Sequence, residues 1–130
     1  MNKRLKLSFF ALTSLVATSV ISNEITPDFL KKEIKLAHTQ YLIGSTESGL
    51  YALQALARVL ESDDSSSLQS QLGPNNLSFT YLRIGLLHEQ LGEKSKTTEY
   101  FNKALTSYKG EKIEIVQLKK LVLTLDEQRS

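Results

Sequence analysis

His38 and His88 are the only two histidines in the chain, and 50 residues separate them. Histidine metal sites need further ligands at short, regular spacing, and neither imidazole has them. Serines are plentiful, yet no nucleophile motif frames any of them. Asp63 and Asp64 stand in a serine-rich polar stretch and read as solvated. His88 falls on the apolar stripe of a helical segment and reads as a core histidine, while His38 reads as a groove or surface residue rather than a base. Asn76-Leu77-Ser78 matches a glycosylation acceptor, but helix capping explains Asn76 better. No enzyme is expected from these residues, and no metal or cofactor. The chemistry that is left is recognition, carried by apolar and charged side chains on helix faces.

The elements that present those faces are all helical. In Asn76 to Lys109, Leu77, Tyr81, Ile84, His88 and Leu91 are spaced 4, 3, 4 and 3, one face of a 3.6-residue helix. Asn75 or Asn76 caps its start, and Gly92 ends it in the left-handed conformation. A second helix, about 94–108, carries Thr97, Phe101, Ala104, Leu105 and Tyr108, and Gly110 ends it. Gly85 costs about 1 kcal/mol in mid-helix relative to alanine. A neighbouring helix that seats a bulky side chain against its backbone would offset that, and Phe101 is the expected side chain.

Upstream, Thr26-Pro27-Asp28 is a helix start: a capping hydroxyl, a proline at the first position and an acid at the positive end of the dipole. That helix is expected to run to Ile43 and stop at Gly44. Ser45 caps another, about 46–61, with Leu50, Leu53, Leu56, Ala57 and Leu60 on its face. Residues 62–75, polar with a Gly-Pro pair, read as a linker. A last helix is expected over about 111–128. It repeats the stripe of the central one, with Ile115, Leu118, Val122 and Leu125 in place of Tyr81, Ile84, His88 and Leu91.

The segment from Asn76 to Lys109 resembles one tetratricopeptide repeat, on Tyr81, Ile84-Gly85, Gly92, Phe101 and Ala104. His88, Thr97 and Lys109 depart from that pattern, where tyrosine, alanine and proline are usual. The resemblance covers 34 of the 130 residues. Residues 28–61 look like a degraded earlier copy, with Ala37 over Gly85 and Leu53 over Phe101. The expected fold is all-α: a short tetratricopeptide-like solenoid of helical hairpins, about five helices after an N-terminal signal helix, the last one a cap.

Residues 1–22 are expected to be a secretory signal peptide. Lys3, Arg4 and Lys6 precede an apolar run from Leu7 to Ile21, with small residues before Asn23. About 15 apolar residues make roughly 22 Å of helix against a hydrocarbon core of about 30 Å, so cleavage is favoured over a retained anchor. The domain is then 23–130. Of 16 basic residues three leave with the signal, so 13 face 14 acids and the net charge is −1. The precursor's pI of 8.8 therefore gives no case for nucleic acid. With no cysteine, export brings no disulfide framework and helix packing must hold the domain.

The resemblance implies that the first, third and fifth helices line a concave side. Residues beyond their packing stripes are His38 and Tyr41 on the first, Phe79, Leu82 and Leu86 on the central one, and Ile113, Val116 and Leu123 on the last. Lys35, Arg83, Gln90 and Lys120 rim them. One reading is an apolar groove for a segment of a partner protein, in an exported periplasmic adaptor. A second is that neighbouring helices cover the same stripe. Two further readings are a homo-oligomeric assembly part that buries this face between copies, and a membrane-tethered form with the signal uncleaved. A free groove implies that Leu82→Asp with Leu86→Asp spares the fold and abolishes capture.

Overall fold

The computed structural model describes residues 25–62, 72–73 and 76–129. The expected signal peptide lies outside the described residues, as does most of the expected linker. Among the described residues there are five helices and no strand: α1 (Pro27–Ile43), α2 (Thr46–Ser62), α3 (Leu77–Gln90), α4 (Lys94–Ser107) and α5 (Ile115–Arg129). They pack as two antiparallel hairpins, α1 on α2 and α3 on α4. The second hairpin lies against α2, and α5 closes over α3 and touches α4.

Local chemistry sets most of the helix ends. The Thr26 hydroxyl accepts from the Phe29 amide at 3.1 Å with Pro27 at the first helical position, the Ser45 hydroxyl accepts from the Ser48 amide at 3.1 Å, and the Asn76 side-chain Oδ1 accepts from the Phe79 amide at 2.8 Å. Each satisfies one orphan amide of a first turn. At the other end of α3, Gly92 has φ +74°. Its amide donates to Glu89 O at 3.1 Å and the Glu93 amide to His88 O at 3.0 Å. That paired pattern ends a helix and reverses the chain.

Two boundaries differ from expectation. Tyr108, in an extended conformation, ends α4 two residues before Gly110. The last helix begins at Ile115 rather than near 111, where the Glu114 amide donates to Gln117 Oε1 at 3.0 Å and so fixes the first turn.

The core is continuous through both hairpins. Leu30 and Ala37 of α1 meet Leu53, Leu56, Ala57 and Leu60 of α2, and Leu82, Ile84 and Leu87 of α3 join them to Ala104, Leu118 and Val122. Each large apolar side chain of this kind contributes about 1.5–3 kcal/mol by burial. The second hairpin closes tightly at Gly85: a Cβ added there would stand 2.5 and 2.6 Å from two ring carbons of Phe101. Nearby, the Ser78 hydroxyl donates to Ala104 O at 2.7 Å, which ties the start of α3 to the end of α4.

Candidate functional site

Every residue of α3 from Ser78 to His88 is buried. The helix is enclosed by α2 on one side, α4 on another and α5 on a third. This corrects the expectation of an open groove on its face. Phe79, Leu82 and Leu86 are 7%, 0% and 8% exposed and belong to the interior. Phe79 lies against the Tyr108 ring with centroids 6.4 Å apart. The physical reason is the all-round apolar character of this helix, which neighbours must cover on every side.

Arg83 is also inside, 1% exposed, and it does not rim anything. Its Nη2 donates to Asp126 Oδ1 at 2.9 Å and its Nε to the two carboxylate oxygens at 3.2 and 3.4 Å. Asp126 comes from α5 and is itself buried. The Tyr41 ring of α1 lies 5.9 Å from the guanidinium carbon, and its phenol faces the Asp126 carboxylate. Burial first, and then the adjacent carboxylate, push the Tyr41 phenol well above its ordinary range, while Arg83 pulls the other way. One buried ion pair with a tyrosine beside it therefore joins α1, α3 and α5.

His38 is half-buried near the same place, and Arg129 Nη1 donates to its Nε2 at 2.9 Å. Gln90 is exposed at the end of α3 and accepts from Thr46 Oγ1 at 3.3 Å. A hollow of about 210 Å³ is bounded by Tyr41, Gly44, Thr46, Leu87, Gln90 and Asp126. Lys35 is exposed on α1 and joins neither this cluster nor the next. His88 sits in the core as expected, but only half satisfied: Nδ1 lies 3.1 Å from Glu93 Oε1, the ring stacks on Tyr100 at 5.5 Å, and Nε2 is buried without a hydrogen-bond partner.

Three of the expected residues do stand open together. Val116 is 72% exposed and Leu123 45%, with Lys120 between them on the outer face of α5. They line a shallow hollow of about 370 Å³ with Lys119, Thr124 and Glu127. A second open stripe, on α1, lies outside the expected set: Phe29, Leu36 and Ile43 are 44%, 54% and 82% exposed at intervals of seven residues. Asp126 is outside it as well. A signal for Asp126 exists in the spacing, since Leu118, Val122 and Asp126 follow one another at intervals of four and put an acid on the packing stripe.

No helix among the described residues is long and apolar enough to cross a membrane. Comparison with protein-family models, with curated proteins and with solved structures gave no match.

Proposed function

We propose that the chain is an exported, periplasmic adaptor of tetratricopeptide-like build, a binding module rather than an enzyme, which holds a segment of another protein on the outer face of α5. The observation that carries this is the exposure of Val116 and Leu123 one above the other on the last described helix. A helix that closes a stack of hairpins needs a polar outer face to stay soluble. This one instead offers two apolar side chains beside Lys119 and Lys120, which suits an amphipathic partner segment with acidic flanks.

The test is a pair of substitutions, Val116→Asp with Leu123→Asp. Stability should stay within about 0.5 kcal/mol, since both side chains are exposed, while partner capture from the native compartment is lost. Capture that survives the double change removes this face from the proposal. N-terminal sequencing of exported protein tests the compartment: a first residue of Met1 would restore the membrane-tethered reading.

The stripe of Phe29, Leu36 and Ile43 favours one other reading, a structural part that associates with copies of itself. Light scattering during size-exclusion chromatography separates the two, because a dimer that resists dilution belongs to the second.

A further inference from the structure

The seat of α5 has a chemical requirement that its occupant must meet. Arg83 cannot shed its charge, and it is 1% exposed. An unpaired charge in that position is strongly unfavourable, so whatever covers α3 there must bring an anion. Asp126 supplies it now. The same seat takes Leu118 and Val122, both fully buried, from the two preceding turns. Its occupant is thus an amphipathic helix of the form apolar, three residues, apolar, three residues, acid.

The hold on that occupant is modest for so buried a place. Leu118 and Val122 are the only apolar side chains of α5 that are completely enclosed, while Ile115 and Leu125 are partly covered. Two of its other polar ties, Lys119 to Glu89 at 3.3 Å and Arg129 to His38 at 2.9 Å, join exposed or half-exposed groups. Such ties contribute little in water. A buried ion pair, moreover, recovers little beyond the cost of desolvating its two charges. The link from α4, residues 108–114, is not helical, and it is held through Tyr108 and Ile113, which pack against the core.

We propose that this seat is a docking site for an acidic amphipathic helix, kept filled by the chain's own α5, and that a partner segment of the same pattern takes its place with its carboxylate on Arg83. The charge sets the selectivity: an apolar segment without the acid strands Arg83 and is rejected. The inference goes beyond the outer face of α5 and does not depend on it.

The probe is a synthetic peptide of residues 114–130 of this chain, added to the protein comprising 23–130. Binding is read by fluorescence anisotropy, and the protein's own α5 by amide hydrogen exchange. The peptide is expected to bind and to speed exchange at residues 118–126 of the protein. A peptide carrying Asp126→Asn should bind at least about thirtyfold weaker, the loss expected when one partner of a buried charge pair is removed. Binding that leaves α5 protected, binding indifferent to Asp126→Asn, or no binding at all would each overturn the proposal. A protein carrying Val116→Asp with Leu123→Asp should take up the peptide unchanged, so failure of the outer-face proposal and failure of this one are told apart.

Discussion

Gly85 and Phe101 show how much one missing side chain decides. Helix propensity alone would reward Gly85→Ala by about 1 kcal/mol. The Phe101 ring leaves no room for the added Cβ, and overpacking of this kind costs about 1–3 kcal/mol. Urea denaturation should therefore find Gly85→Ala net destabilised and Gly85→Leu more so, with Phe101→Leu in the same chain reducing the loss. Asp126→Ala should cost about 3–5 kcal/mol, because it leaves Arg83 buried without an anion. Replacing both partners, Arg83→Met with Asp126→Leu, should cost less than Asp126→Ala alone. A third residue sets a pH limit. Tyr81 is pushed up from 10.0 to about 12, by burial first and then by the nearby Glu61 carboxylate. A phenol whose folded pKa is raised contributes stability that is complete below pH 10 and is lost as pH climbs through about 12. Denaturation midpoints measured between those limits should fall in the wild type, and fall less steeply in Tyr81→Phe.

At the scale of elements, α3 is the part whose role changes most between sequence and structure. Its two apolar stripes are both legible in the spacing, and so is the Gly85–Phe101 contact with α4. What spacing does not say is which stripe water reaches, since that depends on where α5 comes to rest. With α5 seated, Leu82 and Leu86 are interior, and Leu82→Asp with Leu86→Asp should unfold the domain rather than spare it. Loss of the cooperative thermal transition in circular dichroism is the expected readout. Helix starts are legible wherever a side chain caps them, at Thr26, Ser45 and Asn76. The start of α5 lies four residues beyond its expected place because Gln117, one turn inside the helix, does the capping of Glu114. The Arg83–Asp126 pair joins residues 43 apart in a chain with many charges, and no local pattern distinguishes that pairing from its alternatives.

For the whole molecule, the hairpins stack and α5 reaches back to α1, so that His38 and Arg129 meet across 91 positions. That return makes the ends of the described chain interdependent. The order of the helices carries a consequence for how the protein is made. Arg83 leaves the ribosome well before Asp126, and until then a collapsed core would have to swallow a guanidinium with nothing to neutralise it. The nascent polypeptide is therefore discouraged from closing early.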